Sequence, residues 1–146
     1  MKPIHILLVE DSEGDIVLIT EALEEGKISN DVTVLNDGWE AYRYLNRKEE
    51  YTHAPMPDLI LLDVNLPKMN GHELLVKIKN DETLQHIPVI MLTTSSHEED
   101  VYKAYKNHAN CYITKPVDVR KFMEVVSTIE NFWISIVQIP RVLPRV

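Results

Sequence analysis

Short apolar runs that each stop at a polar residue recur along this chain. Ile4-His5-Ile6-Leu7-Leu8-Val9 ends at Glu10-Asp11, Leu59-Ile60-Leu61-Leu62 at Asp63, Val89-Ile90-Met91-Leu92 at Thr93-Thr94, and Cys111-Tyr112-Ile113-Thr114 at Lys115-Pro116. Runs this short predict buried strands, and the stretches between them carry helical spacing, so the pattern predicts repeated βα units around a parallel sheet. Val32 to Leu35 supplies a further strand. Helices are predicted from Ser12 to Glu25 with Gly26 at the end, through Trp39, Tyr42 and Leu45, over Glu73 to Lys79, and from Ser96 to Asn107. A last helix starts near Val117 and carries Val119, Phe122, Val126, Ile129, Trp133 and Ile136 on one face. That face runs past what a sheet needs, so 132–139 reads as surplus. In such a fold the ligand crevice lies at the carboxyl ends of the strands. The acids, the hydroxyls and Lys115 are therefore predicted to meet there.

Composition narrows the classes. The 146 residues suit one domain, here taken as 1–131 with an extension over 132–146. A net charge of -8 argues against a nucleic-acid surface, which needs clustered Lys and Arg, and Arg141 and Arg145 do not make one. No apolar run approaches the roughly 18 residues of a membrane span, and no signal-peptide pattern opens the chain, so a cytoplasmic location is expected. The lone Cys111 reads as a small buried hydrophobe. The histidines lack zinc-ligand spacing, and His72, His86, His97 and His108 read as surface residues.

Carboxylates gathered in one crevice repel one another unless a cation intervenes. Magnesium suits the task, because it takes oxygen ligands and few direct carboxylates. Asp11 and Asp63 would fill that role, with Lys115, the Thr93 hydroxyl and the Thr94 N–H completing a phosphoryl cradle. Asp63, after the most apolar strand, is the candidate nucleophile for an acyl phosphate.

The segments Leu8-Val9-Glu10-Asp11, Leu61 to Gly71, Pro88 to Thr93 and Tyr112-Ile113-Thr114-Lys115-Pro116 resemble the receiver domain of two-component response regulators, and the resemblance covers about Pro3 to Glu130. It implies a flavodoxin-like (βα)5 fold, α/β, doubly wound, with strand order 2-1-3-4-5. It further implies Asp63 as phosphoacceptor, Mg2+ held by Glu10, Asp11, Asp63 and the Asn65 carbonyl, and Thr93 and Lys115 on the phosphoryl oxygens. The Lys115-Pro116 peptide is expected to be cis, and Thr93 and Tyr112 to form the switch. Asn65 and Ser95 match positions that tune hydrolysis. Asp11-Ser12-Glu13-Gly14-Asp15, the long loop before Asp58 and the C-terminal stretch are similar to stand-alone receivers serving bacterial and cyanobacterial phytochrome kinases. The function expected is therefore a single-domain phosphoacceptor, not an enzyme on other substrates, that takes its phosphoryl group from a histidine kinase. Phe132, Trp133 and Ile136 would form an apolar patch, so a homodimer is expected, with a phosphotransfer protein as a possible downstream partner.

Other readings stand beside these. The charged residues can be a structural ion-pair network, Tyr112 a core aromatic, and Phe132, Trp133 and Ile136 a segment folded back on its own domain. A haloacid-dehalogenase-type phosphatase expects an acid two residues after its nucleophile, where this chain has Asn65. A flavodoxin-like cofactor carrier shares only the fold. A degenerate receiver-like adaptor that is never phosphorylated is the main rival.

Overall fold

The computed structural model describes residues 3–26 and 30–140, apart from the side chains of Ser135 and Ile136. Strands β1 (Ile4–Val9), β2 (Asn30–Leu35), β3 (Leu59–Leu62), β4 (Val89–Thr93) and β5 (Cys111–Thr114) form one parallel sheet in the order β2-β1-β3-β4-β5. Helices α1 (Glu13–Glu25), α2 (Gly38–Leu45), α3 (Gly71–Lys79), α4 (Glu98–Lys106) and α5 (Val119–Ile129) make the crossovers. A π-helical segment, Glu130–Ile136, prolongs α5. No helix among the described residues is long and apolar enough to cross a membrane.

Side chains alternate across a strand, and both faces of a parallel sheet are covered, so the core divides in two. Leu7, Val9, Ile60, Leu62, Val89 and Met91 face α2 and α3, where Ala41, Leu74, Leu75 and Ile78 meet them. Ile6, Leu8, Leu59, Leu61, Ile90 and Leu92 face α1 and α5, against Ile19, Leu23, Phe122 and Val126. All four residues of β3 are fully buried, which explains their unbroken apolar run.

Helix starts follow capping chemistry. Ser12 accepts from the Asp15 N–H, Asp37 from Glu40 and Asp118 from Lys121, while Asn70 and Glu73 form a reciprocal capping box. Asn70 therefore caps α3 rather than turning the preceding loop, and Lys68 takes the left-handed conformation there (φ 68). Gly26 ends α1 in extended backbone, and its lack of a side chain has a packing cause: a Cβ would lie 1.7 Å from Glu130 Oε1.

Two expectations shift. The last helix begins at Val119 rather than Val117, and both residues are exposed, so its buried face opens at Phe122. Its C-terminal stretch continues as the π-helical segment, with Trp133 and Ile134 packed partly against the α1/α5 side of the core. The Ile136 side chain and residues 141–146, including Arg141 and Arg145, lie outside the described residues.

Candidate functional site

Four of the five strand ends bring together most of the residues singled out from the sequence. Glu10 and Asp11 leave β1, Asp63 leaves β3, Thr93 closes β4 and Lys115 leaves β5. Parallel pairing continues into these ends and fixes them, since the Asp63 N–H donates to Val9 O (3.1 Å) and the Lys115 N–H to Thr93 O (2.7 Å). Glu10, Asp11 and Asp63 each offer an oxygen, all within 4.8 Å of one another. Hard oxygen donors packed this closely fit a divalent cation, whose charge relieves their repulsion. Asp11 is exposed while Glu10 and Asp63 are buried, so the cluster opens to solvent on one side.

Lys115 balances the acids from within. Its ammonium donates to Glu10, to Asp15 Oδ2 at 2.9 Å and to Asp63 Oδ2 at 3.0 Å. Asp15 was not anticipated as a site residue. Local spacing gives no signal for it, because Asp11 precedes α1 and the partner Lys115 lies 100 residues away. Glu10 is tethered too, its Oε2 accepting from the Asp11 and Ser12 N–H groups at 3.1 and 3.2 Å.

The electrostatics divide the two buried acids. Burial pushes Glu10 up to about 7, although Lys115 beside it pulls the other way. Burial alone would raise Asp63 as well, but hydrogen bonding from Thr93 and the Lys115 charge hold it below the usual carboxylate range. Lys115 is desolvated, yet its bonds to Glu10 and Asp15 and the charge of Asp63 keep it above the ordinary lysine value. The site thus presents an ionised aspartate beside an ammonium and a buried hydroxyl, the elements of a phosphoryl-accepting cradle.

Gly71 permits this geometry. Its N–H donates to Val64 O at 2.8 Å, and a Cβ there would stand 2.0 Å from Asp63 O. Asn65 is exposed at the rim, its N–H donating to Asp63 Oδ1 (3.2 Å). Thr94 is exposed. Tyr112 is half-buried and its hydroxyl donates to Ser95 O at 2.8 Å.

Three expectations are corrected. The Lys115-Pro116 peptide is trans, since no cis bond occurs among the described residues. Trans is the intrinsically favoured form of an X-Pro bond, and with it the Lys115 ammonium already reaches its three acids. His72 is buried (5 % exposed) rather than on the surface, with Nε2 2.9 Å from Asp100 Oδ1. Cys111 is half-buried rather than buried, and partial burial pushes its thiol up. Outside the site, an open groove of about 730 Å3 between β5 and α5 is lined by Ile113, Val125, Ile129, Phe132 and Trp133.

Comparison with known proteins adds the following. The profile of the response regulator receiver domain matches residues 6–127. Response regulator Rcp1 of Synechocystis sp. is 44% identical over 138 residues, covering 94% of each chain. The probable methanogenesis regulatory protein FilR2 of Methanothrix harundinacea is 40% identical over 133 residues, 91% of this chain and 85% of its own. The crystal structure of the phosphorylated cyanobacterial phytochrome response regulator RcpA superposes with a TM-score of 0.94 at 46% identity, covering 96% of this chain and 100% of that one. The Mn(2+)-bound form of Rcp1 superposes at 0.93 and 44% identity, covering 95% and 100%.

Proposed function

Because the chain belongs to the response regulator receiver family, we propose that Asp63 is its phosphoacceptor and takes a phosphoryl group from the phosphohistidine of a histidine kinase. The observation that carries this reading is the buried Asp63 carboxylate, bonded by Lys115 and with its pKa held low by Thr93 and the Lys115 charge. A carboxylate oxygen of Asp63 attacks phosphorus as the bond to the kinase imidazole breaks, giving an acyl phosphate and a free histidine. The Lys115 ammonium turns to a phosphoryl oxygen, and the Thr93 hydroxyl donates to another. Glu10, Asp11 and Asp63, with the Asn65 carbonyl, would hold Mg2+, which would supply positive charge for the phosphoryl oxygens. The chain then acts on no other substrate: it catalyses only its own phosphorylation and slow hydrolysis.

The switch is assigned to Thr93 and Tyr112, which meet at one residue, Ser95. Similarity to Rcp1 and to the phytochrome response regulator RcpA supports a phytochrome-type kinase as donor. Residues 1–131 serve as the receiver and 132–146 as a contact extension. Phe132 is 48 % exposed and stacks edge-on with Trp133 beside the apolar groove. With Ile136 it favours a homodimer, from which the signal passes by protein contact, a phosphotransfer protein included.

Intact mass after incubation with acetyl phosphate tests the central step. The wild type is expected to gain one phosphoryl group with Mg2+ and none without it, and Asp63→Asn to gain none. A wild type that stays unmodified with acetyl phosphate and with a phosphorylated kinase would leave the unphosphorylated adaptor as the better reading.

A further inference from the structure

His72 lies one residue into α3, behind the phosphoryl site, and its burial has no role in the reading above. Its Nε2 meets Asp100 Oδ1 at 2.9 Å, across the gap between α3 and α4, and its Nδ1 has no partner among the described residues. The Asp100 carboxylate can only accept, so Nε2 carries the proton. Asp100 also accepts from Ser95 Oγ at 2.5 Å, and both bonds hold its carboxyl below the usual range. Ser95 in turn makes a long N–H contact (3.4 Å) to Thr93 Oγ1, and Thr93 closes β4 beside the β3 end that carries Asp63. On the other side, Gly71, next to His72, is pinned to the backbone of Val64 and abuts Asp63 O. These contacts run around the site from Asp63 through Gly71, His72, Asp100 and Ser95 to Thr93, whose strand end neighbours that of Asp63.

We propose that His72 and Asp100 are positioning residues of the phosphoryl site, bracing the loop after β4 against the start of α3 so that Ser95 holds the Thr93 hydroxyl toward Asp63. The proposal rests on Asp63 as phosphoacceptor. A brace anchored to the site at both ends acts on the rate of phosphoryl transfer, because a donor already in place needs no reorganisation as charge develops. It leaves cation affinity unchanged, because Glu10, Asp11 and Asp63 are placed by the ends of β1 and β3 and their own backbone pairing rather than by the loop after β4.

The test measures the rate constant of phosphorylation by acetyl phosphate at saturating donor, together with Mn2+ affinity. His72→Leu removes the donor to Asp100 and is expected to slow phosphorylation by about 3- to 10-fold, the range of one net hydrogen bond. His72→Gln places an amide N–H near the same point and is expected to restore the rate. Ser95→Ala breaks the other end, and the double variant with His72→Leu should be no slower than the slower single, as expected of residues acting in one chain. Mn2+ affinity should stay constant throughout. A wild-type rate in His72→Leu, equal slowing in His72→Leu and His72→Gln, or additive effects in the double variant would overturn the brace. If His72→Leu does not fold, Asp100→Asn, which keeps the shape of the pair, carries the same comparison. If the wild type takes no phosphoryl group at all, the phosphoacceptor reading fails instead. The brace is then decided by the Ser95 amide and Thr93 methyl NMR shifts: a change in His72→Leu reversed in His72→Gln supports it, and unchanged shifts overturn it.

Discussion

Replacing Lys115 by methionine would remove the one ammonium among four acids and leave a side chain of similar length. Its attraction to Asp15 at 2.9 Å and to Asp63 at 3.0 Å is about 5.5 kcal/mol each at an effective dielectric near 20. Without it, Glu10, Asp11 and Asp63, with oxygens within 4.8 Å, repel by at least about 3.5 kcal/mol per pair at the same dielectric. The full sum is not reached, because protonation offers relief. With Glu10 already at about 7, its protonation at pH 8 costs about 1.4 kcal/mol. The net loss should therefore fall near the 3–5 kcal/mol typical of removing one partner from a buried pair, a drop in Tm of about 6–20 °C. The loss should shrink on acidification, as the acids neutralise themselves. Mg2+ should also close much of the gap, because a divalent cation replaces the missing charge and stabilises by mass action, about 2.7 kcal/mol at 100 times its Kd. Urea unfolding followed by tryptophan fluorescence, in EDTA and in Mg2+, measures both effects. A variant within about 1 kcal/mol of wild type in EDTA, or Mg2+ stabilising both proteins equally, would refute the charge-balance argument.

Gly71→Ala puts a Cβ 2.0 Å from Asp63 O, so it should cost about 1–3 kcal/mol as overpacking and depress phosphoryl uptake, read by intact mass. Lys79→Met removes the ammonium that serves Gln85 O, Ile87 O and Asn110 Oδ1, the last of which keeps the Val89 N–H, and should lose about 1–3 kcal/mol in denaturant unfolding. Burial lowers the His5 pKa below 6.5, so between the folded value and 6.5 the unfolded chain binds more protons and stability rises with pH. Acid titration of Tm should thus show a loss beginning as pH falls through 6.5, and His5→Gln should flatten that part of the curve. Phe132→Asp should shift sedimentation toward monomer at high concentration, and an unchanged distribution would place the homodimer contact elsewhere.

The sequence carried the sheet and the acid cluster because burial writes both plainly: β3 is apolar without interruption until Asp63, where the crevice begins. It carried β2 less fully. Asn30 and Asp31 pair with Ile4 and His5 at the sheet edge, where a strand needs backbone bonds but no apolar side chain. His72 misled because a polar residue in a first helical turn reads as exposed, and only its distant partner Asp100 makes its burial affordable. The partnership of Asp15 with Lys115 spans 100 residues, and no local pattern announces a contact of that range. The Lys115-Pro116 peptide shows the converse: the residue pair was identified, but its isomer depends on packing around the turn.

That long range has a consequence for the life of the chain. Lys115 joins Glu10 across 105 residues and Asp63 across 52, and β5 is the last strand of this sheet in chain order. During synthesis at roughly 5–20 residues per second, a nascent chain can hold its acids for seconds before the balancing ammonium leaves the ribosome. With Asp63 as phosphoacceptor, a truncated or half-folded copy would have the aspartate but not its cradle, and would take few phosphoryl groups from a kinase. Completed folding becomes a condition for entering the signalling pool.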